Sequence, residues 1–166
     1  MSISIDEYVN VEDRALALDC DIPTSLALLP RNFSTAKSKN ELAYESSAAT
    51  VRTLFRQNQL PETKLEKEGD RFNRIVEQGN DWIAPTIFIA ASLLSQDPNF
   101  ASLAINIISN YLTDWFKGIP GRKNVKLDVV VERQARKTYV KISYDGDVEG
   151  MSEIPEIVKK VFNDES

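Results

Sequence analysis

From Trp82 to Thr113 the chain reads WIAPTIFIAASLLSQDPNFASLAINIISNYLT, and Asp97 is the single charged residue in it. Elsewhere the sequence is rich in Lys, Arg, Asp and Glu, which make up 27% of the whole. Water solvates this stretch least, so whatever fold the chain adopts must place it near the centre. Its pattern is read as two apolar helices joined at Gln96-Asp97-Pro98-Asn99. Pro85 is tolerated only in a first turn, which starts the first helix near Ala84 and runs it to Ser95. Asp97 then caps the second and Pro98 takes its first position. Phe100, Leu103, Ala104, Ile107, Ile108, Tyr111, Leu112 and Trp115 supply its apolar side, and Gly118 stops it.

The remaining side of that second helix carries Ser102, Asn106, Ser109, Asn110 and Thr113. A freely solvated helix carries Glu and Lys there, and these residues are neutral. Burial on most sides, a protein interface and membrane insertion all produce such a face. Insertion is not expected, because spanning hydrocarbon takes about 20 apolar residues and Gln96, Asp97 and Asn99 interrupt the run. Charge depletion marks the centre of a protein interface. Asn106, Ser109, Asn110, Tyr111 and Thr113 are therefore the candidate contact residues, for self-association or for a protein partner.

The last fifty residues give the clearest pattern. Val125, Leu127, Val129 and Val131 alternate with polar residues, as do Val140, Ile142 and Tyr144, so the two segments form an antiparallel hairpin. Asp145-Gly146-Asp147 turns the chain out. Ser152 caps a closing helix striped by Ile154, Ile157, Val158, Val161 and Phe162. The fold class expected is α+β: a central apolar helix pair packed with this hairpin and closing helix, plus short strands from the N-terminal half.

Residues 1–21 form an acidic N-terminal arm with a short helix around Val11 to Leu18, and residues 22–166 form a single α+β domain. Pro23 and Pro30 bracket a short or edge strand. A helix follows from Asn40 to about Gln57, with Tyr44, Ala48, Val51 and Phe55 on one face and Arg52 and Arg56 on a solvated one. Arg71 to Val76 is a further strand, after a turn at Gly69-Asp70.

The 166 residues contain no histidine and one cysteine, Cys20. That removes imidazole bases, Ser-His and Cys-His nucleophiles and thiolate metal clusters. Asp19 and Asp21 on either side of Cys20 disfavour its thiolate. The six glycines match no phosphate-binding loop. No catalytic residue, metal site or cofactor is expected. A carboxylate-metal hydrolase, using a pair such as Asp19 and Asp21, is the third reading. The second is a nucleic-acid module. Arg133, Arg136, Lys137 and Lys141, with Arg122, Lys123 and Lys126 near them, gather phosphate-seeking charge at the hairpin, and Tyr139 offers a stacking platform on its outer face. The net charge of −5 opposes a general nucleic-acid coat. The acidic start, MSISIDEYVNVEDR, and the lone cysteine point to the cytoplasm.

The apolar helix, VKLDVVVE and KTYVKISYDGDVEGMSEIPEIVKKV together resemble small accessory proteins of bacterial anti-phage conflict systems. Several of those join an apolar helix to a β-hairpin, an Asp-Gly turn and a closing helix. The resemblance covers the last third to half of the chain. It implies an adaptor linking an effector to its sensor in bacterial antiviral defence.

Overall fold

The computed structural model describes residues 1–76, 79–121, 123–133 and 137–164. In chain order its elements are β1 (Ser2–Tyr8), α1 (Val11–Ala17), β2 (Leu26–Leu29), β3 (Ala43–Glu45), α2 (Ala48–Gln57), β4 (Asn73–Ile75), β5 (Trp82–Ile83), β6 (Thr86–Ile89), α3 (Ala91–Gln96), α4 (Phe100–Trp115), β7 (Val125–Glu132), β8 (Tyr139–Gly146) and α5 (Ile154–Asn163). The fold is α+β, built on a six-stranded mixed sheet of order β1-β8-β7-β6-β2, with β5 also paired to β7. β3 and β4 make a separate parallel pair.

The hairpin and closing helix stand where the sequence pattern puts them. β7 and β8 pair antiparallel, with Val129 opposite Ile142, and α5 buries Ile154, Val158, Val161 and Phe162. Its start differs in detail. Ser152 donates to the Glu149 carbonyl (3.1 Å) inside a 3₁₀ turn, and Pro155 occupies the first helical turn. Gly150 in that turn is required for space: a Cβ there would lie 2.3 Å from the Tyr144 hydroxyl oxygen.

The apolar stretch departs from the helix-pair expectation in its first half. Thr86 to Ile89 is a strand, parallel to β7 with Ile87 opposite Val129 and Phe88 opposite Val130. Only Ala91–Gln96 is helical before the turn at Asp97. Pro85 breaks a strand here, whereas the helix reading put it in a first turn. The amides of Trp82 and Ala84 donate to the Asn124 and Lys126 carbonyls (both 2.9 Å), and Pro85, with no N–H, separates β5 from β6. A strand buried on both faces reads as a continuous apolar run, which periodicity cannot separate from a buried helix. The two faces of this one are both filled. Ile87 and Ile89 join the larger core under α2, α4 and α5, while Phe88 joins a smaller one under α1 and residues 33–42. Parallel neighbours require a crossover, and α3 and α4 provide it between β6 and β7.

The N-terminal half is more strand-like than its pattern suggested. Residues 2–8 pair along their full length with β8, Ser2 opposite Asp145 and Tyr8 opposite Tyr139, and α1 buries Val11 and Ala15 on the smaller core. The helix expected from Asn40 begins only at Ala48; Lys39–Glu41 is a 3₁₀ turn and Ala43–Glu45 is strand. Tyr44, Ala48, Val51 and Phe55 do share one buried cluster, but Tyr44 reaches it from β3. β2 forms as expected at one edge of the sheet, buried throughout. Among the described residues no helix is long and apolar enough to cross a membrane.

Truncating a side chain at the β6–β7 centre removes buried contacts that nothing nearby replaces. Phe88→Ala is expected to lower unfolding stability by about 3–5 kcal/mol. Leu16→Ala, at an exposed position of α1, should change it by less than about 0.5 kcal/mol. Chemical denaturation monitored by circular dichroism measures both.

Candidate functional site

α4 buries Phe100, Ala101, Ala104, Ile105, Ile108 and Leu112 against the sheet and its neighbouring helices. Its opposite stripe, at steps of three and four residues, is Leu103, Asn106, Asn110 and Thr113, all exposed. Leu103, read as core-facing, is 45% exposed, and Ile105 takes the buried place. Ser109 is half-buried beside the stripe. Its hydroxyl donates to the Asn106 carbonyl (3.2 Å), and the Thr113 hydroxyl donates to the Ser109 carbonyl (2.8 Å). Two of the neutral polar side chains thus satisfy themselves on their own helix, and the Asn106 and Asn110 amides face outward. Tyr111 lies on the neighbouring flank, its ring centroid 6.5 Å from that of Trp82. Trp115 follows one turn on, 44% exposed.

Tyr111, Trp115 and Trp82 form the aromatic wall of a cleft of about 700 Å³, closed on other sides by Ser47, Thr50 and Asp81. A second cleft, of about 510 Å³, opens on the sheet face that α1 leaves uncovered, lined by Ser2, Ser4, Thr86, Asp128 and Ser143. Glu45, Ile83 and Lys126 border both. The border charges are neutralised in pairs. Arg31 grips buried Glu45 with its forked guanidinium, Nη2 to Oε2 at 2.7 Å and Nε to Oε1, and Lys126 Nζ lies 3.6 Å from Asp81. Asn124 donates to Asp145 (2.7 Å) at the end of the second cleft. Neither cleft presents a concentrated field of one sign.

Arg52, read as a solvated residue, is the hub of a half-buried network. It donates to Glu62 (2.8 Å), Glu66 (3.0 Å) and the Tyr44 hydroxyl (3.0 Å), and Tyr44 donates to Glu66 (2.7 Å). Its guanidinium also lies over the Tyr44 ring, 4.7 Å from the centroid. These bonds fasten the loop after α2 to the helix. Glutamates ten and fourteen residues downstream leave no local spacing that reveals them. Burial opposes the charge of Glu66, but the hydrogen bonds from Tyr44 and Arg52 outweigh it and hold the carboxyl below its usual range.

Among the described residues of the hairpin, the basic side chains stand beside carboxylates from other elements. Arg133 donates to the Asp164 carbonyl (3.1 Å) and carboxylate (2.8 Å). Lys137 is highly exposed and 3.8 Å from Glu12. Lys141 is half-buried, opposite Asp6 of β1. Tyr139, expected on the outer face as a stacking platform, is 4% exposed. Its ring packs against Phe88 and its hydroxyl donates to Glu132 (2.9 Å). The outer face of the hairpin is here the roof of the second core, so an aromatic residue there is buried. Arg136 and Arg122 lie outside the described residues.

Asp19 and Asp21 are not brought together on one side of a strand. Asp19 has φ +56° and accepts from Lys67 (2.8 Å) and Lys39 (3.4 Å), which hold its carboxyl below the usual range. Among the described residues no group of three or more Asp, Glu, Cys or His could hold a metal ion. Cys20 is buried, and burial pushes its thiol up.

No family model matches the chain, and comparisons with curated proteins and with solved structures find no match either.

The Glu66 network has an acid signature. A carboxyl depressed in the folded state contributes stability that is present above its unfolded value, near 4.5, and lost as pH falls through the folded value. Stability of the wild type should fall as pH drops below about 4.5, with Asp19 and Asp70 adding to the slope, since both are also depressed. Glu66→Gln should flatten that slope. Arg52→Ala should cost about 1–3 kcal/mol at neutral pH by leaving Glu62, Glu66 and Tyr44 without their shared donor. Urea titrations at a series of pH values measure all three.

Proposed function

We propose that this chain is a non-catalytic interaction subunit, an adaptor that binds a partner protein through the outward stripe of α4. The observation that carries the reading is the stripe itself. Leu103, Asn106, Asn110 and Thr113 face solvent, and no Lys, Arg, Asp or Glu occurs from Phe100 to Thr113. Charge depletion with exposed aliphatic and aromatic groups is the composition of an interface centre. Trp115 supplies an exposed indole at the end of the same helix, the side chain most often found among the residues that dominate binding energy.

The resemblance of the C-terminal part to accessory proteins of bacterial anti-phage systems supports the same reading, with an effector or sensor protein as the partner. Recognition of nucleic-acid backbone by the hairpin has less support. Arg133 and Lys137 have carboxylate neighbours of their own, and Tyr139 is buried. The pairing of Asp19 with two lysines likewise weakens a metal-dependent hydrolase.

A photo-crosslinking residue at Asn110 of the intact chain, in the cells it comes from, tests the reading. A discrete protein adduct is expected from Asn110 and none from Glu156, an exposed position on α5. Adding Asn106→Lys should remove the adduct while changing stability by less than about 1 kcal/mol. No adduct from Asn110 beyond that from Glu156 would refute the α4 interface.

A further inference from the structure

The two edges of the main sheet are treated differently. At the β2 edge the chain covers itself. The Leu26 amide donates to the Pro61 carbonyl (3.4 Å) and the Thr63 amide donates to the Leu26 carbonyl (2.7 Å), so residues 61–63 occupy both backbone groups of Leu26, where the strand begins. At the β1 edge no described strand does so; β1 ends the sheet order and pairs only with β8.

β1 also lacks most of the devices that keep an open edge from pairing with another chain: proline, a bulge, an inward charge, lysine, or short length. Ser2–Tyr8 is seven residues long, contains no Lys, Arg or Pro, and keeps unbroken one-to-one register with β8. Its charges, Asp6 and Glu7, stand together at one end. Ile5 is 53% exposed on the face that Ile3 and Ile142 share with the helix-side core.

We infer that the β1 edge is a homodimer interface, in which β1 pairs antiparallel with β1 of a second copy about a two-fold axis at Ser4. A two-fold interface must complement itself, and the SISIDE sequence does so in this register. Ile3 of each copy faces Ile5 of the other, so the exposed Ile5 of each copy gains an apolar cross-strand neighbour on the helix side. Ser4 faces its own copy and Ser2 faces Asp6, a hydroxyl donor against a carboxylate. Asp6 and Glu7 of the two copies lie at opposite ends of the pairing. Shifting the axis to Asp6 would set the two Asp6 carboxylates against each other. Shifting it to Ile5 would place Glu7 opposite Ile3. Charge and burial thus select the Ser4 axis. The resulting sheet runs unbroken through both copies and places the two Ser2- and Ser4-lined clefts side by side. This surface is separate from α4, and the inference stands whether or not α4 binds a partner.

Sedimentation equilibrium of the intact chain from about 1 µM to 1 mM tests it. The mass is expected to rise with concentration from 18.7 kDa toward twice that value. Ser4→Lys puts two ammonium groups face to face and should weaken association at least about tenfold. Ser4→Asp should do the same alone. An equimolar mixture of the two variants should recover a heterodimer, because only at the two-fold axis does position 4 meet itself. Circular dichroism checks that each variant keeps the wild-type fold, and the recovery in the mixture shows directly that both remain competent to pair. A wild type that stays at 18.7 kDa up to about 1 mM overturns the inference. So does a dimer insensitive to Ser4→Lys, or one abolished by Asn106→Lys with Asn110→Glu instead.

Discussion

The structure depends on the centre of β7, Val129 to Val131, being buried on both faces while the strand is paired on both edges. Val129 and Val131 point into the core beneath α2, α4 and α5, and Val130 into the one closed by α1. β8 runs antiparallel along one edge, and β5 and β6 run parallel along the other. A parallel neighbour cannot be reached by a tight turn, so the chain between β6 and β7 has to leave the sheet and return. That requirement puts α4 on the outside of the helix layer with one face turned to solvent. The candidate contact stripe is therefore a consequence of sheet topology as much as of helix composition.

The same two-sided sheet explains where the clefts lie. α1 and residues 33–42 cover only part of the second sheet face, over Phe88, Val130 and Tyr139. Further along the same strands the residues become Ser4, Ser143, Asp128 and Thr86, polar side chains that need no cover. The second cleft is this uncovered polar half of the sheet. The larger cleft lies where α2 and α4 meet β5, and its aromatic wall continues from Tyr111 and Trp115 of the outward helix. Paired charges along their common border keep both clefts close to electrostatic neutrality.

The hairpin, α5, α4 and the short strand β2 are legible in the sequence because each has one dominant period and clear punctuation. The Asp97-Pro98 start and the Gly118 stop bracket α4 to within a few residues. β6 was not legible for the opposite reason. A strand filled on both faces has no period of two, and Ile87-Phe88-Ile89 fits a buried helix as well as a buried strand. Leu103 and Ile105 exchanged roles because a helix this apolar offers several possible inward faces, and only packing against α2 and α5 chooses between them. Alternation sets Tyr139 on the outward side of the hairpin, and that side is a second core. The Arg52 network joins residues from three separate segments, and no local spacing announces such a cluster. Of the candidate contact residues, Asn106, Asn110 and Thr113 are exposed and Ser109 is half-buried, an outcome the neutral composition left open; Tyr111 serves a cleft on the adjacent flank.

The dependence on β7 is tested most directly by native-state hydrogen exchange resolved to single amides. If β7 is the element on which both cores rest, its central amides, Val129 to Val131, should exchange only through global unfolding. They should then track the free energy measured by denaturation, while amides of α1 and β4 open at lower cost. Exchange of those β7 amides through local openings, faster than the amides of α1, would contradict the account.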